Sequence, residues 1–188
     1  QNEHHLYRRT RTTTINPEHS EAFASLHYPD LAESGVHLKV NKEYLLIPKT
    51  GKKLKVHNTL NNNIATIKLF PGISENIMRS IFSTPNLEGV ILETYGAGNT
   101  TNRTWFIDML KEYIDKGIHI INVTQCSGGS VIMGQYETST QLKDIGVISG
   151  GDMTTEAAIA KLMYLLGKNL SRLKFKEHFE NSLRGEIS

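Results

Sequence analysis

From residue 64 to the C-terminus, apolar and polar positions follow two rhythms that alternate, and the switches fall at short glycine-containing joints. Residues 64–70 (Ile-Ala-Thr-Ile-Lys-Leu-Phe) read as a strand, Pro71-Gly72 turns the chain, and Ser74 is placed to cap a helix running to Phe82. Residues 89–92 form a second, uniformly apolar strand. In the helix predicted over 101–116, Phe106, Met109, Leu110, Tyr113 and Ile114 fall at i, i+3, i+4, i+7 and i+8, the stripe of an amphipathic helix. Gly117 ends it, and residues 118–123 give a third strand. A helix over 136–144 leads through Gly146 to a fourth strand at Val147-Ile148. Thr154 or Thr155 opens a helix to Leu166 with Gly167 as its C-cap, and 171–183 is the last helix. Trp105 and the methionines sit at helical spacing and are expected in the core.

Strands that alternate with helices through short joints imply right-handed βαβ crossovers and a parallel sheet. The predicted class is α/β: a three-layer sandwich around a mainly parallel four-stranded sheet, preceded by a mixed α/β extension. The extension, residues 1–57, has a different texture. Residues 6–15 mix Arg, Thr and Tyr and suggest an exposed strand or loop. Pro17, Glu18 and Glu21 resemble the first turn of a short helix that carries Phe23 and Leu26 and stops before Pro29. Residues 36–40 alternate like a strand, and 43–47 with 54–56 flank Pro48-Lys49-Thr50-Gly51 like a hairpin. The Asn-rich stretch 58–63 marks the expected boundary with a domain over 58–188.

Composition narrows the classes. A chain of 188 residues, 38% hydrophobic and 21% charged, can bury a sizeable core. No apolar run nears the ~18 residues of a membrane span. Twenty-one basic against 19 acidic residues, a net charge of +2, give no field that argues for nucleic acid. One cysteine builds no disulfide framework, so nothing points to secretion. The eight histidines are scattered, His4-His5 apart, without metal-ligand spacing, so neither a metal nor another cofactor is predicted. The chain starts at Gln1 without a signal-peptide pattern, and is expected to have been cut from something longer.

In parallel sheets, ligands gather beyond the carboxyl ends of the strands. Three segments qualify. Tyr95-Gly96-Ala97-Gly98-Asn99 is either a tight turn or an amide-lined anion site, and it lacks the third glycine and downstream acid of a dinucleotide fingerprint. Thr124-Gln125-Cys126-Ser127-Gly128-Gly129 carries a lone cysteine. As a nucleophile it would need a nearby base, and His119 lies at the far end of the same strand; a packed or ligand-contacting thiol is the alternative. Ser149-Gly150-Gly151-Asp152-Met153-Thr154 either contacts a ligand or caps the next helix. The Arg8-Arg9-Thr10-Arg11 run reads as a solvated strand, with phosphate contact as its alternative.

Taken in order, Asn122 to Gly129, Met133-Gly134-Gln135-Tyr136, Gly150 to Ala157 and Leu183-Arg184-Gly185-Glu186 resemble the C-terminal half of bacterial cytoplasmic (type I) L-asparaginases. The Tyr95–Asn99 segment, Leu69-Phe70-Pro71-Gly72-Ile73, Leu6-Tyr7-Arg8 and Phe23-Ala24-Ser25 are similar too, so the resemblance covers nearly the whole chain. It implies an amidohydrolase that converts L-asparagine to L-aspartate and ammonia through a threonine acyl-enzyme, in the cytoplasm, as a homodimer or homotetramer. Residues 1–57 would then be the tail of the N-terminal asparaginase domain and its linker.

The resemblance also assigns residues. The family's nucleophilic threonine lies in a Gly-rich loop near its N-terminus, with a Thr-Asp pair midway through its first domain; neither motif is matched in this chain, which is expected to be inactive alone. The family carries a lysine after an Arg-Thr-Thr triplet, whereas here Arg11-Thr12-Thr13 is followed by Thr14, a neutral hydroxyl unable to serve as an amine in a proton relay. Asn99 and Tyr136 match positions that reach the active site of a dimer partner. Thr13, Glu93, Thr124 and Cys126 match an allosteric asparagine site between subunits, where a bacterial version carries an arginine in place of Glu93. That exchange disfavours a carboxylate there. The alternatives are an asparaginase-like subunit of a tRNA-dependent amidotransferase, and a non-catalytic module that dimerises and binds a small amino acid.

Overall fold

The computed structural model describes residues 4–18, 22–48, 50–51 and 53–188. Among them the extension contributes β1 (His5–Leu6), β2 (Thr13–Thr14), β3 (Phe23–Ala24), β4 (Ala32–Ser34) and β5 (Leu38–Val40). The domain follows as β6 (Ile64–Lys68), α1 (Glu75–Phe82), β7 (Gly89–Thr94), α2 (Thr104–Asp115), β8 (His119–Thr124), α3 (Glu137–Asp144), β9 (Ile148–Ser149), α4 (Thr155–Leu166) and α5 (Arg172–Glu180).

Strands β6 to β9 form one parallel sheet in sequential order, with Ile67, Leu92 and Asn122 in register across the first three. Each strand is added on the same side of the last. Crossovers of one hand must then place all their helices on one face. Accordingly, Met78 and Phe82 of α1, Phe106, Met109, Leu110, Tyr113 and Ile114 of α2, and Leu142 of α3 share one core with Ile67, Val90, Leu92 and Ile120. The other face, Ile91, Ile121, Val123 and Ile148, is covered by Ala158, Leu162 and Leu165 of α4 and by Phe175 and Phe179 of α5. The expected three-layer α/β sandwich with a four-stranded parallel sheet is what the chain forms. Val90, Ile91 and Leu92 read as an unbroken apolar run because both faces of β7 are covered, and all three are fully buried.

Predicted helix starts fall close to their caps. Ser74 Oγ accepts from Ile77 N at 3.3 Å, and Thr154 Oγ1 accepts from Ala157 N at 3.2 Å. Gly117 closes α2 at φ +101°. Gly167 is a glycine for a different reason: its φ is −67°, and a Cβ there would meet Thr59 O at 2.7 Å. The 58–63 stretch therefore packs directly against the end of α4, where Asn61 N also donates to Met163 O at 3.0 Å.

The extension departs from expectation. Its regular structure consists of two small antiparallel sheets, ordered β1-β4-β5 and β2-β3, with 3-10 turns at Arg9–Arg11 and Lys42–Tyr44. The helix expected after Pro17 is replaced around Phe23 by a strand, Thr14 pairing with Phe23. Asn16 Oδ1 accepts from Glu18 N at 3.0 Å, a local side-chain turn that competes with helix initiation; residues 19–21 of that expectation lie outside the described residues. The hairpin expected over 43–47 and 54–56 does not form among the described residues (Lys49 and Lys52 lie outside them). Leu54 and Val56 are 93% and 72% exposed, and an isolated two-stranded ribbon with nothing to bury is marginal in water.

Arg8 and Arg11 are not a solvated strand. Both are buried, and Arg11 is 1% exposed. Arg11 Nη1 pairs with Asp152 Oδ2 at 2.8 Å, its Nε donates to Gly185 O at 2.7 Å, and its Nη2 donates to Ser188 Oγ at 3.0 Å. Both guanidinium groups lie over the Tyr28 ring, at 4.4 and 4.8 Å from its centroid. The C-terminal segment is thereby clamped between extension and domain. From the domain side, Lys161 Nζ pairs with Glu186 Oε1 at 2.5 Å with both side chains buried, and Leu183 N and Arg184 N donate to the same carboxylate.

Burial alone would raise the Glu186 carboxyl, but Lys161 and the backbone amides outweigh it and hold its pKa below the usual value. Burial likewise opposes, and Ser188 and Arg11 likewise outweigh it, for Asp152. For Lys161 desolvation is the larger effect and Glu186 only partly restores it, so its pKa is lowered too. This pair fixes the position of the tail more than it adds net stability.

Glu186→Gln leaves the buried Lys161 ammonium uncompensated and should lower unfolding free energy by about 3–5 kcal/mol in urea titrations, whereas the apolar double change Lys161→Met/Glu186→Leu should recover most of that loss. Two carboxylates with depressed folded pKa values contribute stability that is present above the unfolded carboxylate range and lost as pH falls through the folded values. The urea midpoint of the chain should accordingly drop below about pH 4, and Asp152→Asn should flatten that drop.

Candidate functional site

The carboxyl ends of β7 and β8 are tied together by side chains that the strand pattern hides. Thr94 and Asn122 are both fully buried. Thr94 Oγ1 donates to Asn122 Oδ1 at 2.6 Å, and Asn122 Nδ2 donates to Gly98 O at 3.1 Å and meets Met133 Sδ at 3.4 Å. One amide therefore links β7, β8, the 95–99 turn and the segment before α3. Gln125 Nε2 donates to Leu69 O at 2.7 Å and Glu93 O at 2.8 Å, drawing the ends of β6 and β7 together.

Of the two readings of the 95–99 segment, the structure shows a tight turn. Gly98 N and Asn99 N both donate to Tyr95 O, at 3.0 and 2.8 Å, and Tyr95 N donates to Asn99 O at 2.8 Å. Those two amides are spent internally, and α2 begins only at Thr104, so the turn does not deliver an anion to a helix N-terminus. Gly98 has φ +104°, and a Cβ there would meet Val131 at 2.8 Å, so both conformation and space require glycine. In the 149–154 segment, Thr154 caps α4 as described and also faces a cavity.

Asn99 and Tyr136, distant in sequence, come to one place: Thr138 Oγ1 in the first turn of α3 donates to Asn99 Oδ1 at 3.2 Å. Ser139, buried beneath them, accepts from Gly134 N and Tyr136 N at 3.2 and 3.1 Å and donates to Tyr136 O at 2.8 Å, which fixes the start of α3. Tyr136 itself is 51% exposed.

Thr13, Glu93, Thr124 and Cys126 line one cavity of about 330 Å³ beyond the strand ends, together with Thr14, His27, Thr155 and Glu156. Glu93 Oε1 accepts from Thr155 Oγ1 at 2.8 Å, and Glu156 Oε1 accepts from Thr13 Oγ1 at 2.5 Å. Thr124 Oγ1 donates to Gly96 O at 2.6 Å and accepts from Cys126 N at 3.0 Å, so this hydroxyl also shapes the loop. Thr14 lines a second, adjoining cavity of about 610 Å³ with Tyr7, Arg9, Thr10 and Ala157.

Cys126 is exposed. His119 is no base for it: the ring stacks on Phe175 at 3.8 Å, and burial, reinforced by Arg172, lowers its pKa to about 4. The histidine that does reach the cavity is His27, whose Nε2–H donates to Ser127 O at 2.9 Å. Nothing in the sequence signals it, because it comes from the extension, 99 residues before Cys126 in the chain. Thr155 and Glu156 were hidden in the same way, as ordinary first-turn residues of α4. Among the described residues no group of three or more His, Cys, Asp and Glu is arranged to hold a metal, and no helix is long and apolar enough to cross a membrane.

A sequentially ordered parallel sheet covered by helices on both faces defines an α/β domain, and comparison with known proteins gives the family. Residues 63–179 match the Glutaminase/Asparaginase C-terminal domain, and the chain belongs to this asparaginase amidohydrolase family. It is 37% identical over 183 residues to L-asparaginase 1 of Escherichia coli (strain K12), covering 97% of this chain and 54% of that protein. It is also 36% identical over 186 residues to the human 60 kDa lysophospholipase, covering 97% of this chain and 32% of that protein. The crystal structure of L-asparaginase I from Vibrio cholerae O1 biovar eltor superposes with a TM-score of 0.90 at 36% identity, over 98% of this chain and 55% of that one. The chain thus spans about half the length of these two bacterial L-asparaginases.

Replacing Asn122 by Ala removes the donor to the buried Gly98 carbonyl and leaves the Thr94 hydroxyl only its longer bond to Val123 O at 3.2 Å. The change should reduce stability by about 1–3 kcal/mol. It should also speed amide hydrogen exchange in residues 95–99 more than in β6, read by mass spectrometry.

Proposed function

We propose that the chain is the C-terminal half of a cytoplasmic L-asparaginase, an enzyme hydrolysing L-asparagine to L-aspartate and ammonia through a threonine acyl-enzyme. The observation that carries this reading is the 37% identity to E. coli L-asparaginase 1 over 97% of the chain. In this reading the nucleophile belongs to the other half of the enzyme, and the present residues position and regulate. Asn99 and Tyr136, held together through Thr138 and Ser139, extend toward the active site of a partner subunit in a homodimer or homotetramer. An exposed phenol and a carboxamide at the start of α3 suit a substrate with an amide and an α-carboxylate, since both groups donate and accept hydrogen bonds.

Thr14 stands where the family's relay lysine would be. It has no charge with which to draw a proton from a neighbouring hydroxyl, so activation of the family's second threonine needs another group. The cavity lined by Thr13, Glu93, Thr124 and Cys126 is the effector pocket of this enzyme, with Glu93 in place of a cation that would hold an effector carboxylate.

The 188-residue chain incubated with L-asparagine should release no ammonia above the buffer background, whereas the complete gene product should turn over. The rate of the complete enzyme should rise hyperbolically with asparagine. Sustained turnover by the chain alone would overturn the division of labour, and clear sigmoidality would overturn the altered effector pocket.

A further inference from the structure

The cavity beyond β7 and β8 is walled by the carboxylates of Glu93 and Glu156, and by no lysine or arginine among the described residues. Each carboxylate is oriented through Oε1 by a threonine hydroxyl, from Thr155 and Thr13 respectively. A hydroxyl aligns a carboxylate without cancelling its charge, and the second oxygen of each remains an acceptor. Within the wall itself the positive counterweight is the N-terminus of α4, which starts at Thr155, while Arg9 lines the adjoining cavity that shares Glu156. A helix N-terminus is equivalent to roughly half an elementary charge, against two carboxylates, so the wall stays net negative. His27 adds to this bias: its Nε2–H is committed to Ser127 O, and in the neutral ring Nδ1 is a buried acceptor without a partner among the described residues. The cavity offers two carboxylates and an unpartnered ring nitrogen as acceptors, and its donors are neutral hydroxyls, a thiol and amides rather than cations. Its volume, about 330 Å³, suits a small molecule.

We propose that this cavity binds a small ligand carrying a protonated amine and no carboxylate, and that it discriminates against the free amino acid by charge. The proposal rests on the effector-pocket reading above and specifies the class of effector. An ammonium group donates to Glu93 and Glu156, while the remaining polar end of the ligand meets the Thr124 and Cys126 side of the wall. An α-carboxylate brought to the same place faces like charge without a basic partner.

L-Asparaginamide and L-asparagine form the test pair, identical except that the first carries a neutral amide in place of the α-carboxylate. Calorimetry and amide NMR on the full chain should show asparaginamide binding about tenfold more tightly, since the ammonium is common to both ligands and only asparagine adds a carboxylate facing the like charge of Glu93 and Glu156, a tenfold difference being about 1.4 kcal/mol. Signals of residues 124–127 should move. Glu93→Gln, which keeps an acceptor for Thr155, and Glu156→Gln, on an exposed side chain, should each weaken asparaginamide several-fold with an unchanged circular dichroism spectrum. Asparagine binding as tightly as asparaginamide, with the same signals moving, overturns the amine preference and leaves the effector pocket standing. No movement of these signals with either ligand overturns both readings. Binding of asparaginamide that neither Gln variant weakens places the ligand elsewhere and overturns the proposal.

Discussion

Strands laid down in one direction by crossovers of one hand can cover only one face of their sheet. Everything on the second face of this protein follows from that constraint. With α1, α2 and α3 all committed to one side, Ile91, Ile121, Val123 and Ile148 would face water unless the chain after β9 folded back, and α4 and α5 do so. Because α4 crosses behind β7 and β8, its N-terminus arrives beyond their carboxyl ends. That places Thr155 and Glu156 against Glu93 and Thr13, and so closes the polar cavity. Covering the second face and forming the cavity are one event.

The extension is locked to the same geometry. Arg8 and Arg11 are deeply buried, yet they solve their solvation problem locally, with Asp152, the Gly185 carbonyl, Ser188 and the face of Tyr28. The C-terminal segment sits between those guanidinium groups and the Lys161–Glu186 pair, so two long-range charge clusters hold one short tail. Charged groups withdrawn from water tolerate few alternative partners, which gives this junction a single arrangement even where regular structure is sparse. Around it, apolar side chains from Val36 to Leu60 stay largely in solvent. The extension is anchored by its arginines rather than by a core of its own.

The legibility of the fold varied with the source of order. The α2 stripe from Phe106 to Ile114 and the apolar runs at 89–92 and 118–123 could be read directly, because burial imposes period and composition on elements in a shared core. Caps at Ser74 and Thr154 were equally plain, since a single side chain satisfies an adjacent amide. Phe23 was misread as helical and 43–56 as a hairpin: there, local turn chemistry at Asn16 and the lack of any face to pack on decide the outcome. Arg8 and Arg11 looked like surface residues because their partners, Asp152 and Gly185, lie more than 140 positions away.

The same division runs through the candidate site. The motifs around Asn99, Thr124, Cys126 and Tyr136 were visible as residues, and so was the substitution of Glu93 for a cation. The sequence alone determined the α/β class, the order of elements from β6 onward and the charge carried at each strand end, because these depend on local pattern and on side-chain chemistry. Only the tertiary structure decided that Glu93 and Glu156 share a wall, that His27 joins them, and that Asn122 ties Thr94 to Gly98. Those relations need groups far apart in the chain to be brought within hydrogen-bonding distance, and the sheet with its returning helix does that.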